Sequence, residues 1–92
     1  MSTAKEQVAQ LNGWELQEET IEKTYGFNAY LVGITFVSNV ARYAEAVQHH
    51  PHVTIDHTNV TVKWTTVDQG QLTEKDIHAA QASDNLYASQ NE

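Results

Sequence analysis

Ninety-two residues with no cysteine make one small domain that can form neither disulfides nor a zinc-thiolate site. Twelve Asp/Glu against five Lys/Arg give a formal charge of −7, which opposes non-specific binding to nucleic acid or to an anionic membrane. The first residues, Met1 to Glu6, lack the apolar run of a signal peptide, and no stretch is long and apolar enough to span a bilayer. The expectation is therefore a cytoplasmic protein acting on a small molecule or on another protein.

Ser2 or Thr3 can cap a first helix reaching about Leu11, with Asn12-Gly13 stopping it. Trp14 and Leu16 alternate with Glu15 and Gln17, and Ile21, Tyr25 and Phe27 keep the same two-residue period. With Glu18-Glu19-Thr20 as the turn, these read as a hairpin. The acidic group Glu15, Glu18, Glu19 and Glu22 reads as a solvated strand-turn edge. Asn28 is placed to cap a helix over Ala29 to Gln48, whose apolar residues Phe36, Val37, Val40, Ala41, Ala44 and Val47 share one face. Gly33 inside it suggests close packing, and Pro51 should end it.

Val53 and Ile55, then Val60, Val62 and Trp64, alternate with polar residues and form a second hairpin through His57-Thr58-Asn59. Asp68 to Leu72 is a loop. Thr73 and Asp76 resemble a capping box that opens a last helix from about Glu74 to Tyr87, with the polar end from Ala88 fraying. The order α-β-β-α-β-β-α defines an α+β domain: a four-stranded antiparallel sheet with three helices on one face. The other face, or an edge strand, would need a cover, and a partner subunit is expected to supply it.

Four of the five histidines fall within nine residues: His49, His50, His52 and His57. Imidazole titrates nearest neutrality, so such a cluster can donate and accept protons. His49 and His50 stand where a helix breaks at Pro51 and the chain enters a strand. On chemistry alone three readings stay open: surface histidines at a helix C-terminus, a metal site, and acid/base catalysis. The metal reading lacks a His-x₃-His pair or a carboxylate triad, so no metal ligands are assigned.

The segment Glu45-Ala46-Val47-Gln48-His49-His50-Pro51, followed by two strands and Thr65-Thr66-Val67-Asp68, resembles the signature of pterin-4a-carbinolamine dehydratases. Gly13-Trp14 resembles the family's start. Phe27, Tyr30, Phe36, Val40-Ala41 and Ala44-Glu45 resemble its central helix, and Leu72-Thr73-Glu74-Lys75-Asp76-Ile77 its last helix start. The resemblance implies loss of water from 4a-hydroxytetrahydropterin to give quinonoid dihydropterin, without metal or organic cofactor, in a homodimer or homotetramer. It implies that His49 and His50 are the catalytic pair, and that Gln48, Thr65, Thr66, Val67 and Asp68 line the pterin pocket with them. Glu45 is an acid near that site, and Asp76 is read as a helix cap before a substrate ligand. Val67 departs from the pattern, because family members usually carry a third histidine there. Losing one general acid or base costs about 10²–10⁴ in rate, unless His52 or His57 from the adjoining hairpin replaces it. The alternative implied by the departure is a non-catalytic protein-binding, dimerisation or assembly factor. Related proteins act as dimerisation cofactors for a transcription factor or in Rubisco assembly.

Overall fold

Two hairpins make one sheet, and the helices lie across a single face of it. In the computed structural model, which describes residues 3–66 and 70–90, the elements run α1 (Ala4–Gln7), β1 (Glu15–Gln17), β2 (Thr20–Gly26), α2 (Tyr30–Val47), β3 (His52–Asp56), β4 (Asn59–Trp64) and α3 (Glu74–Gln90). All pairings are antiparallel and the strand order is β1-β2-β4-β3, so the second hairpin docks its later strand in the centre. The α+β class and element order agree with the sequence reading. No helix among the described residues is long and apolar enough to cross a membrane.

Strand alternation sorts the side chains. Ile21, Tyr25, Val60, Val62 and Trp64 point to the helices and are buried. Their neighbours Glu22, Thr24, Thr61 and Lys63 form the opposite, polar face, where the Thr24 and Thr61 hydroxyls meet at 2.8 Å. That face is not the apolar surface that demands a cover. Exposed large apolar side chains are Leu16 on edge strand β1, Ile55 on edge strand β3, and Tyr30, Leu31, Val32 and Val47 on α2.

The core between the layers is aromatic. Tyr25 packs against Phe36 (ring centroids 4.7 Å apart), Tyr87 (4.8 Å) and Trp14 (6.3 Å, edge-on). Asp84 on α3 closes one end of it, accepting from Tyr25 Oη at 2.6 Å, Lys23 Nζ at 2.9 Å and Trp14 Nε1 at 3.1 Å. Burial, and then the Asp84 carboxylate, push the Tyr25 phenol far above its usual range. Gly33 lets α2 approach the sheet closely: a methyl there would stand 3.3 Å from Val60 Cγ2 and 3.4 Å from Phe27 Cδ2.

Several boundaries differ from the sequence reading. The first helix has one α-turn, capped by Thr3 and Glu6 reciprocally, and then tightens to a 3-10 turn over Val8–Gln10. The first hairpin turns on Glu18 and Glu19 alone, so Thr20 already pairs with Gln17. Phe27 lies beyond the end of β2. Asn28 does not cap α2; extended Ala29 precedes its first turn without a side-chain bond. The second hairpin turns on His57-Thr58, with Asn59 already in β4. The last helix does not fray after Tyr87 but continues to Gln90, whose amide donates to Val32 O at 2.8 Å and ties the end of α3 to α2.

Candidate active site

The end of α2 sets the direction of both histidines. Its helical run stops at Val47, and Gln48 takes the left-handed conformation (φ 55°, ψ 45°). Gln48 N then donates to Glu45 O at 3.3 Å, and His49 N to Ala44 O at 3.0 Å, the paired bonds of a Schellman turn. The left-handed Gln48, not Pro51, ends the helix; Pro51 only keeps the chain extended into β3. The turn sends the two adjacent imidazoles to different surroundings.

His49 turns inward. Its side chain is 11 % exposed and stacks on the Trp64 indole, centroids 5.4 Å apart with 22° between planes. Trp64 is itself pinned by Nε1 donating to Ser83 Oγ at 3.2 Å. His49 Nε2 lies 2.6 Å from Oδ1 of Asp76, which is fully buried at the start of α3. The other Asp76 oxygen accepts from Thr66 Oγ1 at 2.7 Å and from Thr73 N at 3.0 Å.

The proton order of this network follows from donor inventory. Asp76 as a carboxylate only accepts, so His49 Nε2 and the Thr66 hydroxyl must donate to it. The Thr73 hydroxyl, 2.8 Å from Thr66 Oγ1, then donates to Thr66, and Lys75 N donates to Thr73 Oγ1 at 3.3 Å. His49 thereby keeps a proton on Nε2, with Nδ1 as its other ring nitrogen. Among the described residues no buried side-chain nitrogen or oxygen lacks a partner. Nδ1, which has none there, therefore opens toward solvent. A buried carboxylate that fixes tautomer and ring orientation is the device that prepares a histidine for proton transfer.

His50 turns outward. Its Nε2 lies 2.7 Å from Glu45 Oε1, one turn back on α2, and both side chains are mostly exposed. With Pro51 it forms a ridge between two clefts of about 380 Å³ each. On the helix side the walls are Val37, Val40, Ala44 and Val53, with Glu45 at the mouth. On the polar side of the sheet the cleft is lined by Thr20, His52, Lys63 and Thr65.

The remaining sequence-chosen residues divide. His52 shares the polar cleft with His50. His57 stands in the hairpin turn at the far end of β3, roughly 16 Å along the strand from His52. Gln48 lines neither cleft, and its amide folds back on Glu45 O at 2.7 Å. Thr65 lines the polar cleft, its hydroxyl donating to Glu19 O at 2.6 Å. Thr66 is buried and its hydroxyl is spent on Asp76. Val67 and Asp68 lie outside the described residues. Asp76 does cap Thr73, as expected, but it also holds His49, a partnership that its capping role concealed. Among the described residues no three His, Asp or Glu side chains converge as a metal site.

The fold and this histidine end define an α+β protein of pterin-dehydratase architecture. The profile of the family described as pterin 4 alpha carbinolamine dehydratase matches residues 1–86, and the chain belongs to that family. A relative from Chloroflexus aurantiacus is 41 % identical over 81 residues, covering 88 % of this chain and 87 % of its own. One from Thermosynechococcus vestitus is 40 % identical over 80 residues, covering 87 % and 84 %. Both are provisionally named pterin-4-alpha-carbinolamine dehydratase. Among solved structures, a transcriptional coactivator/pterin dehydratase from Brucella melitensis superposes with a TM-score of 0.84 at 27 % identity, covering 89 % of each chain. A pterin dehydratase-like RuBisCO assembly factor of the alpha-carboxysome shares the fold, with a TM-score of 0.65 at 20 % identity over 79 % of this chain and 84 % of that one.

Proposed function

We propose that this protein dehydrates a 4a-hydroxytetrahydropterin to the quinonoid dihydropterin by histidine acid/base catalysis. The observation that carries the reading is the 2.6 Å contact of His49 Nε2 with buried Asp76, one residue before His50, which lines the polar cleft. In the reaction the C4a–O bond breaks and the oxygen leaves as water, so it must gain a proton. The adjacent ring nitrogen loses its proton, and that electron pair completes the C=N bond. His49, with Nδ1 as its free acceptor, takes the ring proton. His50, exposed and paired with Glu45, exchanges protons with solvent and supplies the one the hydroxyl needs. The pterin, a flat polar heterocycle, lies on the polar side of the His50-Pro51 ridge. There Thr65 faces its amide edge. His57 is too distant to replace the imidazole that Val67 does not provide, and His52, in the same cleft, is left for substrate binding.

The test is decay of 4a-hydroxytetrahydropterin measured with and without the purified protein. Wild type should exceed the uncatalysed rate, and the double variant His49→Ala, His50→Ala should return to it. Equal rates for wild type and double variant would remove the reading.

The second reading is a protein-binding factor on the same scaffold, favoured by Val67 in place of the third histidine and by the similarity to the Brucella transcriptional coactivator/pterin dehydratase. It predicts a stable protein partner in pull-downs and no heat of pterin binding.

A further inference from the structure

The polar cleft carries more positive character than dehydration requires. Lys63 on β4 and His52 on β3 are register partners, standing side by side on the polar face of the sheet. His50 closes the same cleft from the helix end, and Thr20 and Thr65 complete it. Among the described residues no carboxylate lines it, on a chain whose formal charge is −7. Glu22 faces Lys63 across β2 and β4, but the ammonium makes no ion pair within 4 Å among the described residues. The contrast with Lys5, paired to Glu19, and Lys23, paired to Asp84, is direct. Water loss from a neutral carbinolamine needs proton donors and acceptors, not an unpaired ammonium beside the histidine ridge.

We propose that Lys63 and His52 receive an anionic group, a phosphate ester, carried on the side chain of the pterin. The inference rests on the dehydratase reading and narrows its substrate class. With the ring against the His50-Pro51 ridge, a short side chain reaches the strand pair, and its phosphate meets the Lys63 ammonium, the His52 imidazole and the Thr20 hydroxyl. The Thr65 hydroxyl, already donating to Glu19 O, can only accept and is not part of the anion's shell. The preference is electrostatic and half-exposed, so it should be modest and should weaken as salt is added.

Calorimetry on the full chain, with 7,8-dihydroneopterin and its 3′-monophosphate as probes, tests this. Wild type should bind the phosphate ester about five- to tenfold more tightly than the neutral pterin. In Lys63→Gln that ratio should fall to about one, and in His52→Gln it should fall part of the way. Inorganic phosphate should compete away the ester's advantage but not the neutral pterin's binding. Equal affinities in wild type, or an advantage that survives Lys63→Gln, would overturn the anion site and leave the dehydratase reading standing. Failure of both pterins to bind would overturn both. Binding of inorganic phosphate without either pterin would overturn the substrate assignment along with the dehydratase reading.

Discussion

Asp76 and Asp84 stand eight residues apart on one helix, and each gathers several donors from distant parts of the chain. Asp84 accepts from an indole, an ammonium and a phenol, none of which gives up its proton near neutrality when so held. Its work is to fix Trp14 and β2 against α3. Asp76 accepts from a hydroxyl, a backbone amide and an imidazole. Only the imidazole has a second nitrogen left over, and it is the one group of the six that can exchange a proton at neutral pH. The same carboxylate device holds only proton-retaining groups in the second half of α3 and, in its first turn, an imidazole with a nitrogen to spare, and the difference lies in the donors.

The sharpest way to break this comparison is Asp76→Asn. The amide keeps the shape but can present an NH₂ to His49 Nε2, favouring the wrong tautomer. The dehydration rate should drop by about 10²–10⁴, with a smaller loss of stability than Asp76→Ala, which orphans three buried donors at about 1–3 kcal/mol. Rate assays alongside urea unfolding separate the two effects. An Asp76→Asn protein that turns over normally would reduce Asp76 to a helix cap.

Asp84→Asn should do the reverse. Loss of the charge that Lys23, Tyr25 and Trp14 share should cost about 2 kcal/mol of stability, while turnover per folded molecule stays within about twofold. A rate loss beyond the unfolded fraction would show that the two carboxylates of α3 are coupled.

Tyr25 adds a pH axis to the Asp84 end. Its phenol is raised in the folded state, by burial first and by Asp84 second. Its contribution to stability is therefore complete below the unfolded value of about 10 and is lost as pH climbs above it. Tyr25→Phe should cost about 1 kcal/mol near neutrality, and its deficit should shrink as the wild type weakens above about pH 10. Denaturation midpoints for both proteins across the alkaline range give the result; curves that stay parallel would sever the link to Tyr25.

Most of the fold was legible because the strands alternate cleanly and α2 carries one apolar face. The boundaries were less so, for reasons that sit in particular residues. Asn28 looked like a cap, but Ala29 takes the extended position ahead of α2. The tail beyond Tyr87 reads as polar, and only the long-range bond from Gln90 to Val32 explains its helix. At the site, the histidine pair and Thr65-Thr66 were visible as residue types. Their division of labour was not, since nothing local distinguishes the inward His49 from the outward His50, or the open Thr65 from the buried Thr66. Asp76 was visible only as a cap, because a three-residue spacing to Thr73 is a local signal and a bond to His49 across 27 residues is not.

The smallest effect concerns Gln48, which the family resemblance puts in the pterin pocket. Here its backbone holds the left-handed position of the Schellman turn and its amide folds back on Glu45 O. Glycine takes that conformation without a Cβ penalty. Gln48→Gly should therefore stabilise the chain by about 0.5–1 kcal/mol, less whatever the amide bond contributes. The turn that aims His49 at Asp76 would be intact, so turnover should stay within about twofold. A rate loss approaching that of Asp76→Asn in a stabilised protein would mean that the Gln48 side chain swings out to meet the pterin. The contrast between a prepared inner histidine and an exposed outer one would then be incomplete without it.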